Sequence, residues 1–90
     1  MSERRVTIRV EGVVQGVNYR QAARRKAEGL GISGFARNEN DGSVTVEAEG
    51  ESAAIAQLID WCQHGQAPAQ VDRIAVTDGP LVGYEGFARR

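Results

Sequence analysis

The sequence predicts an α+β fold in which two helices cover one face of a largely antiparallel sheet. Two observations lead to it. Apolar and polar residues alternate in several short segments, as Val6, Ile8 and Val10 do at the start of the chain, which is typical of half-buried strands. Two longer segments instead place their apolar residues at helical spacing, and the strand and helix patterns follow one another in the order β-α-β-β-α-β, with a further strand at the end.

Each element has its own signal. The first strand pattern covers 6–11, and a helix pattern runs from about Tyr19 to Leu30. A second strand is predicted at 32–37 and a third from Val44, ending at Gly50; Asp41-Gly42 between them marks a hairpin. Ser52 is expected to cap a second helix that stops at Gly65, and strands follow at 71–77 and 84–88.

This order matches the ferredoxin-like, split-βαβ motif. In that topology strand 3 lies between strands 1 and 2, which run parallel to each other and end at the same edge of the sheet. The loop after strand 1 and Asn38 after strand 2 are therefore expected to meet, although they are far apart in the sequence.

Length and composition bound the function. Ninety residues with a net charge of −1 indicate a single domain over 1–90, and the near-zero charge argues against nucleic acid or an anionic membrane as partner. The only cysteine, Cys62, excludes an internal disulfide, and the N-terminus has no signal-peptide pattern. We expect a cytoplasmic monomer.

The most informative segment is GVVQGVNYR at 12–20. Its glycines allow a tight turn rich in free amides at a helix N-terminus, and Arg20 follows in the first helical turn, where its guanidinium can bind two oxygens of a phosphate. The segment lacks the Gly-Lys-Ser/Thr end of a Walker A loop and the spacing of a Rossmann fingerprint. An anion site and a plain βα turn are equally compatible with the loop alone.

Other polar residues are weaker candidates. The spacing of Asn38 alone favours a turn-capping role over the positioning of a water molecule. Glu39 and Asp41 beside it are candidates for a general base, or simply solvated turn carboxylates. The single histidine, His64, and Cys62 lie far from the loop, so that neither a zinc site nor a Cys-His pair is expected.

Taken together, the motifs resemble those of the acylphosphatases. Residues 12–20 match the signature G-x-V-Q-G-V-x-[FY]-R, and residues 31–44 match the second block, G-[hydrophobic]-x-G-x-x-R-N-x-x-D-G-x-V. The segments 58–61 and 87–90 are also similar to the family, so the resemblance covers essentially the whole chain.

The resemblance implies hydrolysis of acyl phosphates to a carboxylate and inorganic phosphate, without metal, cofactor or phosphoenzyme. It implies that Arg20 is the catalytic arginine and that Asn38 positions the water. The phosphate loop of the family maps onto Gln15, Gly16, Val17, Asn18, Tyr19 and Arg20.

Two other readings stay open on the sequence. The first is a non-catalytic anion-binding or regulatory module on the same fold, in which Asn38 would have no water to position. The second is a single-stranded RNA binder, which would need stacking aromatics on the open face of the sheet. None of the aromatic residues forms an aromatic-rich strand of that kind, and the charge of the chain is unsuitable for it.

Overall fold

A computed structural model describes residues 2–90 and shows five strands and two helices in the predicted order. The elements are β1 (Glu3–Val13), α1 (Tyr19–Gly29), β2 (Ser33–Asn38), β3 (Val44–Glu51), α2 (Ser52–His64), β4 (Gln70–Gly79) and β5 (Phe87–Arg89). The ferredoxin-like fold with a short extra strand is therefore confirmed. No helix within 2–90 combines the length and the apolar content that crossing a membrane requires.

The sheet has the strand order β4-β1-β3-β2-β5. β3 is antiparallel to both of its neighbours, so β1 and β2 run parallel to each other on either side of it, as predicted. Val44, the first residue of β3, is in register with Val10 on one side and with Asn38 on the other. The loop that follows β1 and the end of β2 consequently lie at the same edge.

The core lies between the sheet and the two helices. α1 packs on β2 and β5, and α2 packs on β1, β3 and β4. Small and β-branched residues of the strands meet the apolar faces of the helices, which is the pattern expected of a sheet covered on one side. The fully buried members include Val6, Ile8, Val10, Ala23, Ala27, Ala36, Val44, Val46, Ile55, Leu58 and Cys62.

Several element ends differ from the sequence prediction. β1 begins at Glu3 and ends at Val13, β2 is shifted by one residue, α1 ends at Gly29, and β4 begins at Gln70 and ends at Gly79. β3 continues through Gly50 to Glu51, and β5 begins only at Phe87. The late start of β5 has a local cause: the amides of Val82, Gly83 and Tyr84 donate to the carboxylate of Glu49 instead of to a neighbouring strand. These hydrogen bonds lower the pKa of Glu49, and the bond from the Val82 amide makes the largest contribution.

The start of α2 also differs from the prediction. Glu51 is the N-cap residue and makes no side-chain capping bond. Ser52 is already helical, and its hydroxyl lies 3.0 Å from that of Ser2. The expected capping serine therefore joins the helix to the start of β1.

Gly34 is required by the close approach of β2 to β3. Its φ is +146°, and a Cβ at this position would lie 1.9 Å from the carbonyl oxygen of Glu47. Gly34→Ala is therefore expected to push the two strands apart and to lower the free energy of unfolding by roughly 1–3 kcal/mol, as overpacking does elsewhere. Urea unfolding of the variant measures this.

The matched control is Gly29→Ala at the end of α1, where an added Cβ meets nothing within 4 Å. It should leave stability unchanged or raise it by up to about 1 kcal/mol, since glycine is the more flexible residue in the unfolded chain. Equal unfolding midpoints for the two variants would contradict this account of Gly34.

Candidate active site

The side chain of Gln15 fixes the loop after β1 to the turn after β2. Its Nε2 donates to the carbonyl oxygens of Glu39 at 2.7 Å and Ser43 at 2.9 Å. These carbonyls lie on either side of the turn that leads into β3. The glutamine of the predicted phosphate loop is thus occupied in holding two segments together, and only its backbone remains for a ligand.

The loop has two residues with positive φ, a backbone pattern that favours an anion-binding nest. Gly16 (φ +73°) and Asn18 (φ 65°, ψ 22°) are left-handed on either side of Val17. Left-handed and right-handed residues in succession turn consecutive N–H groups toward one point, which makes a nest for an anion. Gly16 adopts its φ without steric cost because it has no Cβ.

The N-terminus of α1 adds to the positive potential of the nest. Asn18 is its N-cap residue but makes no side-chain capping bond, and the first turn contains no acidic residue. The first amides of the helix are therefore neither capped by a side chain nor neutralised by a neighbouring carboxylate, and the positive end of the helix dipole faces the loop.

Arg20 is half-buried in the first turn of α1. Its Nη1 donates to the main-chain carbonyl oxygen of Arg90. That carbonyl is held in place because the amide of Arg90 donates to Ala36 at 2.7 Å and its guanidinium lies 3.9 Å from the centre of the Phe35 ring. Residues at the end of the chain thus orient the guanidinium that the sequence predicts to bind phosphate.

Asn38 ends β2 with an unusual side chain. Its Oδ1 is buried and has no hydrogen-bond partner among residues 2–90. The turn that the sequence assigned to Asn38 is instead closed by Asp41, which accepts bonds from the amide and the hydroxyl of Ser43 at 2.9 and 2.6 Å. The Ser43 hydroxyl in particular lowers the pKa of Asp41 to about 2, with a smaller contribution from Arg9.

A cavity of about 160 Å³ lies at this edge of the sheet and brings the two predicted catalytic side chains together. Gln15 and Val17 of the predicted loop do not line it. Arg89 does. The sequence placed it only in the family-like segment 87–90 and gave it no site role, because the contact depends on the parallel pairing of β5 with β2. The lining residues are Val14, Gly16, Asn18, Tyr19, Arg20, Gln21, Asn38 and Arg89.

The remaining candidates for chemistry have structural roles. The Tyr19 hydroxyl donates to the Cys62 carbonyl at 3.0 Å, and its ring packs on Trp61, so only its backbone faces the loop. Burial raises the pKa of the Cys62 thiol to about 12. His64 Nδ1 lies 2.9 Å from the Asp60 carbonyl within α2. Residues 2–90 contain no cluster of three or more metal-ligating side chains.

Comparison with known proteins agrees with the fold and the motifs. The family model described as Acylphosphatase matches residues 6–88. The chain is 40% identical over 83 residues to the acylphosphatase of Acidovorax sp. (strain JS42), covering 92% of this chain and 86% of that protein. It is 41% identical over 85 residues to the acylphosphatase of Nocardioides sp. (strain ATCC BAA-499 / JS614), covering 94% and 86%.

The structural comparison leads to the same family. The crystal structure of acylphosphatase from Bacillus subtilis superposes with a TM-score of 0.94 at 30% identity, over 97% of this chain and 98% of that one. A family match over nearly the whole chain, relatives at this level of identity and a shared fold together show that the chain belongs to the acylphosphatase family of hydrolases.

Proposed function

We propose that this chain cleaves the carboxyl–phosphate bond of small acyl phosphates, with Arg20 and the loop amides holding the phosphoryl group and Asn38 holding the attacking water. The observation that carries the proposal is that Arg20 lines the same cavity as Asn38, whose buried Oδ1 has no hydrogen-bond partner among residues 2–90. One wall offers positive charge for the phosphoryl oxygens, and the other offers an acceptor for a water O–H.

The size of the cavity supports a small substrate. Sites for drug-sized ligands occupy roughly 300–1,000 Å³, whereas this cavity has about 160 Å³. It suits a phosphoryl group, with the acyl part left toward solvent, and is too small to enclose a nucleotide.

The buried acceptor of Asn38 explains why a water is placed there. A buried polar atom without a partner costs about 1–3 kcal/mol, and a bound water that donates to Oδ1 removes this cost. Donation of one O–H to Asn38 would turn a lone pair of the water oxygen toward phosphorus. Positioning of this kind lowers the barrier because the nucleophile no longer loses its freedom on the way to the transition state.

The reaction then needs little acid–base help. The water oxygen forms a bond to phosphorus, and the bond from phosphorus to the acyl oxygen breaks with its electron pair leaving on the carboxylate. Carboxyl groups ionise near pH 4 (pKa about 4.3 for a simple side-chain carboxyl), so the carboxylate leaves without protonation. Arg20 and the amides stabilise the charge on the equatorial oxygens, which is the main requirement of phosphoryl transfer.

The proton of the water is assigned to a phosphoryl oxygen, giving dihydrogen phosphate, which re-equilibrates with solvent. The nearby carboxylates are poor bases for this step. Hydrogen bonds from Thr45 and Arg37 lower the pKa of Glu39, and those from Ser43 and Arg9 lower the pKa of Asp41 to about 2. A general base works best when its pKa lies near the pH of the reaction.

The alternative functions are less compatible with the site. A pure anion binder needs positive groups and no held water, so it leaves the unpartnered Oδ1 of Asn38 without a role. An RNA binder would need free aromatic faces, but Phe35 on the open face of the sheet is 6% exposed and is covered by Arg90 and Tyr84.

Hydrolysis of benzoyl phosphate by the purified protein tests the proposal directly. We expect turnover to persist after dialysis against EDTA and assay in metal-free buffer, because the positive field comes from Arg20 and backbone amides. Activity that disappears and returns on addition of Mg²⁺ or Zn²⁺ would refute the metal-free mechanism, and an inactive, folded protein that binds phosphate would favour the anion-binding module.

Arg20→Ala is expected to lower kcat/KM about 10²–10³-fold, since it removes a preorganised charge from the transition state. Arg20→Lys should recover only part of the loss because an ammonium group lacks the planar fork. Inorganic phosphate at fixed ionic strength is expected to raise the melting temperature of the wild type, and Arg20→Ala should abolish this rise.

Arg25→Ala is the control for these variants. It is an exposed arginine of the same helix, has no ion pair within 2–90 and lies outside the cavity. If it lowers activity as much as Arg20→Ala does, the effect reflects the net charge of the chain and not the site.

Asn38→Ala is expected to lower kcat about 10²-fold while the inhibition constant of phosphate stays nearly unchanged, because the water loses its holder and the anion does not. Removal of an unpartnered buried acceptor should leave the melting temperature equal or slightly higher. Kinetics, phosphate inhibition and a thermal melt on one preparation check all three quantities. A lower melting temperature with kcat retained would instead indicate a turn-capping role.

A further inference from the structure

Two guanidinium groups that pair with no Asp or Glu side chain within 2–90 line the same cavity. The chain has ten arginines. Within 2–90, six of them form ion pairs with carboxylates: Arg4, Arg5, Arg9, Arg24, Arg37 and Arg73. Arg20 and Arg89 are among the four that do not, and both line the cavity, whose lining residues include no carboxylate. The positive charge of the site is therefore larger than one catalytic arginine provides.

The register of β5 explains how Arg89 reaches the cavity. β5 pairs in parallel with β2, with Gly34 opposite Phe87 and Ala36 opposite Arg89. Side chains of paired residues in adjacent strands lie on the same face, and every second residue of a strand shares it. Arg89 therefore lies on the same face of the sheet as the buried residues Ala36 and Phe87, which is the face that the helices cover. Asn38, two residues beyond Ala36 in β2, lies on this face as well.

Arg89 lies at the solvent-exposed side of the cavity. Its side chain is exposed and makes no hydrogen bond within 2–90, whereas Arg20 is half-buried and is oriented by the Arg90 carbonyl. A phosphoryl group held by the nest and by Arg20 fills much of a cavity of about 160 Å³. The acyl part of the substrate then extends toward solvent, past the exposed cation.

We infer that Arg89 is a specificity-determining residue that favours acyl phosphates whose acyl part carries its own negative charge. The inference rests on the proposed function. Two cations in one small cavity repel each other, and a substrate with anionic groups at both ends relieves this repulsion more fully than a substrate with a neutral acyl part. A guanidinium binds a carboxylate or a second phosphate equally well, through paired N–H donors.

The test uses two substrates that differ in charge and not in size: 4-carboxybenzoyl phosphate and 4-carbamoylbenzoyl phosphate. The measured quantity is the ratio of their kcat/KM values, charged over neutral. An exposed ion pair changes such a ratio by about three- to five-fold. We expect Arg89→Gln to lower the ratio by this factor, and Arg89→Lys and the exposed Arg25→Gln control to keep it near the wild-type value.

A salt series on the wild type provides a second measurement that needs no variant. The ratio should fall toward the Arg89→Gln value between 0.05 and 0.5 M NaCl (about 14 to about 4 Å in Debye length) because solvent-exposed charges are screened. A ratio that is the same in wild type and Arg89→Gln, or an equal loss on both substrates, would overturn the inference and leave the proposed function intact. A wild type that hydrolyses neither substrate would overturn the proposed function itself.

Discussion

Two hydrogen bonds from one side-chain amide join the halves of this site. β1 and β2 are separated by β3, so their ends are about 10 Å apart at the usual strand spacing. Gln15, beyond the end of β1, spans this gap by donating to the carbonyls of Glu39 and Ser43, beyond the end of β2. Gly16 and Asn18 lie on this loop, which Val14 and Val17 also anchor by packing in or against the core. The amide of Gln15 therefore helps to fix how the loop faces Asn38.

The distribution of charge, and not its sum, supports the proposed anion site. The net charge is only −1, and most arginines are neutralised by carboxylates on the open face and on the surface. On the open face, for example, Arg5 lies 2.6 Å from Glu47. Among residues 2–90, Arg20 and Arg89 form no ion pair with an Asp or Glu side chain, so positive potential is concentrated where the helix dipole of α1 also acts. A charge-balanced protein can thereby bind an anion at one place without attracting polyanions elsewhere.

Sequence patterns predicted the fold and the two catalytic candidates because both depend on local signals and on topology. Alternation placed the strands, and the order of elements brought Asn38 to the loop. What the patterns missed depends on individual side-chain contacts. Glu49 delays the start of β5 by binding three amides, and Asp41 takes the turn that spacing assigned to Asn38. Arg89 enters the cavity through a pairing of strands more than 50 residues apart, for which the sequence carries no periodic signal.

The unusual features of the site share one physical consequence. Asn38 keeps an unpartnered buried oxygen, Asn18 is a left-handed residue that is not glycine, and Arg20 and Arg89 bring like charges to one cavity. Each lowers the stability of the free protein. Under the proposed function, binding of a water and an anion relieves or uses each of them. They lie at the edge of the sheet, beyond the fully buried strand residues that hold the two layers together. The buried core therefore stabilises the fold. The edge of the sheet stays preorganised for the negative charge that develops in the transition state of the proposed reaction.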